Sequence, residues 1–164
     1  FVEPIALYPM RDLEAPGDGG WMTPYPAPGT RIGMGEIGQH GQGTDLAIVT
    51  YGNGHFLSRQ AEAELAAAGI ATRVIDMRWL APLPVAAILA AVQPCAHVLI
   101  VDECRYTGGQ AEALMGHFHE AGLPGFARVT GQDSFIATGP AYGATLPSKA
   151  GIIAAAKALV GGAA

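Results

Sequence analysis

Charge is scarce in this 164-residue sequence: 14% of its residues are Asp, Glu, Lys or Arg, against roughly 25% in an average soluble domain. Two readings fit that scarcity, a surface partly hidden against neighbouring protein or simply an Ala- and Gly-rich composition. Lys and Arg together number nine against fourteen Asp and Glu, for a net charge of −5. No basic cluster exists, which argues against nucleic acid as a partner, because phosphate backbones are held by grouped Lys and Arg. Long apolar runs are missing too. Val98 to Val101 and Ile152 to Ala156 fall far short of the ~20 residues a membrane-spanning helix needs. The start lacks the charged-then-apolar form of a secretory signal, so neither membrane association nor export is expected. The chain opens on Phe1 rather than Met, as a piece cut from a longer polypeptide would.

Cysteine is almost absent. Cys95 and Cys104 flank one apolar run, and as a strand rising ~3.3 Å per residue that run holds them nearly 30 Å apart. A disulfide needs Cα atoms within about 7 Å, so free thiols in a reducing cytoplasm are expected.

What is present divides at Asp45. Residues 1–44 are dense in Pro and Gly, with Tyr8, Trp21 and Tyr25 scattered among them. Pro removes a backbone donor and Gly is entropically costly to order, so long helices are excluded. This stretch reads as a connector with one strand around Arg31 to Ile37. Residues 45–164 read as one domain with alternating elements. Strands are expected over Leu46 to Tyr51, Ala71 to Met77, His97 to Asp102 and Phe126 to Thr130. Helices are expected over His55 to Ala68, from Pro84, over Gly109 to Ala121 and from about Pro147 to Val160. Such alternation implies an α/β fold of three layers: a mostly parallel sheet of about five strands with helices on both faces.

Function in open parallel sheets sits at the carboxyl ends of the strands. Thr107, Gly108 and Gly109 stand between a strand and a helix, where free N–H groups can hold an anion. Gly52, Asn53 and Gly54 end the neighbouring strand and could face them. These six residues are the candidate anion site, beside the commoner reading that such glycines merely permit tight turns. Asp102 and Glu103 put two carboxylates at a strand end. They suit acid–base work, or a structural ion pair with Arg105. His117 and His119 are two apart on a helix and point about 200° away from each other, which is unsuited to a shared metal. His40, His55 and His97 are scattered, and His55 reads as a surface or capping residue. The triplet Gly17-Asp18-Gly19 matches the start of a thiamine-enzyme metal motif. That motif closes on paired asparagines, whereas Asn53 is the single asparagine here. A simple turn is the better reading.

From Asp45 onward the sequence resembles the C-terminal domain of transketolase-like enzymes, and most nearly the beta chain of thiamine diphosphate-dependent 2-oxoacid dehydrogenases. The matching stretches are DLAIVTYG (Asp45 to Gly52), AELAAAGIATRVIDMRWLAPLP (Ala63 to Pro84), HVLIVDECRYTGGQAEAL (His97 to Leu114), and VTGQD (Val129 to Asp133) followed by LPSKAGIIAAAKAL (Leu146 to Leu159). FVEPIALY (Phe1 to Tyr8) resembles the end of the preceding pyrimidine-binding domain. Asp102, Cys104-Arg105-Tyr106 and Gln110 depart from the commoner family choices and leave substrate identity open. The resemblance implies oxidative decarboxylation of a pyruvate- or branched-chain-type 2-oxoacid with acyl transfer to a lipoyl group. It implies thiamine diphosphate and Mg in the full enzyme but none on this chain, and no catalytic residue here. It also implies association with other domains or subunits of the enzyme, as a homodimer or heterotetramer, and with the acyltransferase component. The same domain of a transketolase, a deoxyxylulose phosphate synthase or a 2-oxoacid:ferredoxin oxidoreductase is the alternative, as is a stand-alone anion- or nucleotide-binding domain.

Overall fold

The computed structural model describes every residue except Pro124, Ala163 and Ala164, so the last two residues of the expected 45–164 domain lie outside it. Its elements run β1 (Gly38–His40), β2 (Leu46–Thr50), α1 (Gly52–Ala67), β3 (Thr72–Asp76), α2 (Val85–Val92), β4 (His97–Arg105), α3 (Gln110–Glu120), β5 (Phe126–Gly131) and α4 (Lys149–Gly161). Short 3-10 turns occupy Ile5–Leu7 and Gly139–Ala144. The sheet order is β1-β3-β2-β4-β5. β2, β3, β4 and β5 are mutually parallel, and β1 alone is antiparallel, against β3.

The central strands are continuous apolar runs because both of their faces are covered. All five residues of β2 are buried. On one face Ile48, Val74 and Leu99 meet Ala61 and Leu65 of α1 and Ile152 and Ala156 of α4. On the other, Val49, Ile75 and Ile100 meet Ile88 of α2 and Leu114 and Phe118 of α3. Burying each such Ile, Leu or Phe contributes about 1.5–3 kcal/mol, which is what holds the three layers together. The expected layers and parallel sheet are those observed.

Two local expectations change. The strand placed around Arg31 to Ile37 lies instead at Gly38–His40. Gly35 takes a left-handed backbone (φ +85°), so the extended chain resumes only beyond it. Helix α1 begins at Gly52 rather than at His55. Gly52-Asn53-Gly54 forms its first turn, with Gly52 at φ +54° redirecting the chain out of β2. Gly54 must be small: a Cβ there would lie 2.4 Å from the Thr50 hydroxyl oxygen and 3.3 Å from Val101.

Two residues of the N-terminal stretch are held against α1. Leu13 is buried, and its carbonyl accepts a 2.8 Å hydrogen bond from Gln60 of α1. The Trp21 ring packs edge-on against Phe56, with centroids 5.0 Å apart.

Candidate functional site

β2 leads through α1 to β3 on one side, and α2 then carries the chain back across to β4 on the other. The carboxyl ends of β2 and β4 are therefore where the connections diverge, the usual crevice for a ligand in this architecture. The register pairs Thr50 with Val101, which sets Tyr51 beside Asp102.

The crevice is filled by the chain's own polar groups. Asp102 is fully buried, and its Oδ1 accepts the Tyr51 hydroxyl at 2.5 Å and the Cys104 N–H at 2.8 Å. Its Oδ2 accepts the Ala111 N–H at 2.8 Å, inside the first turn of α3. Gly109 makes that last bond possible, because a Cβ there would stand 2.7 Å from Asp102 Oδ2. A break in the β4–β5 register between Asp102 and Arg105 lets Cys104 turn its N–H back onto Asp102. Burial, then the bond to Asp102, holds the Tyr51 phenol well above its ordinary range, so it stays a donor. Glu103 accepts from the Asn53 amide at 3.0 Å. Burial lifts the Glu103 carboxyl above the usual range and the Asp102 charge adds to this, while the Asn53 bond opposes it.

The six residues of the candidate anion site do sit at adjacent strand ends, but the Thr107 and Gly108 N–H groups of the loop are engaged. Thr107 donates its N–H (2.9 Å) and its hydroxyl (2.7 Å) to the Asp133 carboxylate. These bonds, the hydroxyl's first, hold Asp133 below the ordinary carboxylate range. Gly108 donates its N–H to Glu112 at 2.8 Å, the reciprocal arrangement of a helix start. Asn53 faces Glu103 rather than an empty cradle. The expected ion pair of Arg105 with Asp102 or Glu103 is not formed; hydrogen bonds, not a salt bridge, satisfy both carboxylates.

Beyond the crevice, Arg105, Thr107, Asp133, Ser134 and Phe135 line an open recess of about 320 Å³. The Arg128 guanidinium lies 3.7 Å from the Tyr106 ring centroid, a cation–π contact at the free edge of the sheet.

The Gly17–Gly19 triplet is a turn. Asp18 accepts the N–H groups of Leu13, Glu14, Ala15 and Gly20, while Asp12 accepts those of Gly17 and Gly19. An aspartate so occupied has no lone pairs aimed outward for a metal. The only asparagine is committed to Glu103. These residues therefore do not fit a Mg–diphosphate site. Among the described residues no group of three or more His, Cys, Asp or Glu is placed to hold a metal. His117 pairs with Glu120 at 3.6 Å, and His97 contacts the Asp45 carbonyl at 3.3 Å. His55 is half-buried, with the Trp21 ring beside it, centroids 5.4 Å apart. Both cysteines are free. No helix among the described residues is long and apolar enough to cross a membrane.

Sequence reasoning missed Tyr51, which read only as the last residue of a strand. The signal was its alignment with Asp102, and that needs the β2–β4 register.

Residues 35–152 match the family model for the transketolase C-terminal domain. The pyruvate dehydrogenase E1 component subunit beta of Bacillus subtilis (strain 168) is 30% identical over 92 residues, covering 56% of this chain and 28% of the relative. The same subunit of Staphylococcus aureus (strain Mu50 / ATCC 700699) is 29% identical over 130 residues, covering 77% of this chain and 40% of the relative. The chain thus spans two fifths or less of these relatives. A solved split-gene transketolase, described as an inactive beta4 tetramer, superposes with a TM-score of 0.72 at 23% identity, covering 82% of this chain and 44% of that one. A 2-oxoglutarate:ferredoxin oxidoreductase from Magnetococcus marinus gives 0.53 at 21% identity, covering 76% and 20%. Both structures share the fold.

Proposed function

The chain belongs to the transketolase C-terminal domain family, and from that premise we propose that it is the assembly domain of a thiamine diphosphate-dependent 2-oxoacid dehydrogenase of the pyruvate type. In this reading residues 1–44 are the connector from a preceding domain and residues 45–164 the assembly domain itself. Other domains or subunits of a cytoplasmic enzyme hold thiamine diphosphate and Mg, decarboxylate the 2-oxoacid and pass the acyl group to lipoyl. This domain binds those neighbours as part of a homodimer or heterotetramer, and the acyltransferase component docks on the assembly. The named beta subunits favour the dehydrogenase over a transketolase or a ferredoxin-linked enzyme.

One observation carries the non-catalytic part of the proposal. The crevice where this architecture would bind a ligand is closed by Tyr51–Asp102 and Asn53–Glu103, and the Thr107 and Gly108 amides of its loop serve the chain's own carboxylates. Side chains arranged in this way brace α1 and α3 against the sheet and engage one another rather than a substrate.

Calorimetric titration of the chain with thiamine diphosphate and Mg tests the reading, with sedimentation equilibrium run in parallel. The expected result is no heat of cofactor binding together with self-association. Tight cofactor binding overturns the assignment of the chemistry to other domains. A strictly monomeric chain at high concentration overturns the assembly role.

A further inference from the structure

Apart from this reading of function, the connector carries a conformational device. Residues 11–21 are knotted into one unit: Asp12 and Asp18 between them accept six backbone N–H groups, and the Trp21 N–H reaches the Arg11 carbonyl at 3.1 Å. This unit is fixed to α1 at two points. At one, Leu13 is buried with its carbonyl held by Gln60. At the other, Trp21 covers His55 and Phe56.

We infer that these residues form a strap that acid releases from α1, with His55 beneath Trp21 as the trigger. The charged groups facing His55 are Arg59 and Glu62 of its own helix, His40 of β1 and Arg78 beyond β3; Trp21 brings no charge, only a ring face whose weak attraction for a cation is outweighed by burial and the two arginines. Glu62 is the single acid among them. Its carboxylate is already shared by Arg59 Nε at 2.8 Å and His40 Nδ1 at 2.9 Å. His55 also lies in the first turn of α1, where the helix dipole disfavours a cation. A proton on this imidazole finds no free carboxylate and a surplus of positive neighbours. It is relieved by turning the ring into water, and that displaces Trp21. Burial, then Arg59 and His40, pushes the His55 pKa down to about 4, consistent with a neutral ring at ordinary pH. The strap is the covalent route from residues 1–10 to the sheet, so its release leaves them held only where Pro4 lies beside Gly52, while both core clusters stay intact.

Tryptophan fluorescence tests the strap. In a Trp79→Phe background Trp21 is the only tryptophan. Its emission is expected to shift to the red and its acrylamide quenching to rise several-fold as pH falls, with a midpoint near 4 and an unchanged far-UV circular dichroism signal. His55→Phe keeps an aromatic body without a titrating group and is expected to abolish that transition. Its persistence in the variant overturns the inference, and so does loss of secondary structure at the same midpoint. If His55→Phe does not fold, NMR of the Trp79→Phe protein decides. The His55 ring protons and the Trp21 indole N–H must titrate with one midpoint, and separate midpoints refute the trigger.

Discussion

Replacing Asp102 by Ala removes an acceptor that serves three donors, the Tyr51 hydroxyl and the N–H groups of Cys104 and Ala111. A buried donor left without a partner costs about 1–3 kcal/mol. The Ala111 N–H pays that cost in full, because its bond is buried. Tyr51 and Cys104 are half-buried, so water restores part of theirs. The expected loss for Asp102→Ala is therefore about 3–5 kcal/mol. For a chain of this size each kcal/mol moves Tm by roughly 2–4 °C, which gives a fall on the order of 10 °C. Tyr51→Phe deletes a single bond and leaves Asp102 with two donors, for about 1–2 kcal/mol. The two changes are not additive: once the hydroxyl is gone, Asp102→Ala strands one donor fewer. Urea denaturation followed by circular dichroism, on all four members of the cycle, measures this coupling at about 1 kcal/mol. A loss below ~1 kcal/mol for Asp102→Ala, or additivity within about 0.5 kcal/mol, would refute the claim that this knot braces the crevice.

Glu103→Gln keeps an acceptor for Asn53 while removing a half-buried charge beside Asp102, and is expected to stabilise the chain at pH 7–8 by less than about 1 kcal/mol after allowance for solvent screening. The sign follows from linkage. Because the folded-state pKa of Glu103 is raised, the folded chain holds this proton more tightly than the unfolded one. The group's contribution therefore grows as pH falls through the raised value toward about 4.3. The stability difference between variant and parent, measured by thermal melts across that window, should shrink on acidification. Asp133→Ala frees the Thr107 amide, whose hydrogen exchange is expected to accelerate roughly tenfold, as for loss of a bond worth about 1.4 kcal/mol. An unchanged exchange rate would show that Asp133 does not hold this loop.

The layers were legible because β2 and the first half of β4 are β-branched apolar runs whose burial follows from composition alone. The turn at Gly17–Gly19 was legible from the missing asparagine pair. Other features rest on information that a linear sequence does not carry. β1 is three residues, Gly-Gln-His, with only its glycine buried; pairing with β3 makes it a strand, and no periodicity announces that. The start of α1 was hidden because two glycines around an asparagine carry turn propensity, which tertiary packing overrides. Tyr51 and Asp102 are 51 residues apart and meet only through a parallel register. The loop after β4 read as a tight turn or an anion cradle because its glycines were visible and the acids that reach it were not. Asp133 reaches it from 26 residues away, and Glu112 serves it as a cap.

That loop also has a competitive consequence. Any soluble anion entering the Thr107–Gly108 turn must displace Asp133 and Glu112, which are tied to the turn by the chain itself. Tethered groups of this kind act at effective concentrations of about millimolar or more, and each carries its own negative charge to the encounter. A free phosphate metabolite would need to exceed that local concentration and overcome the repulsion of two carboxylates. The Thr107 and Gly108 amides are in effect occupied from within.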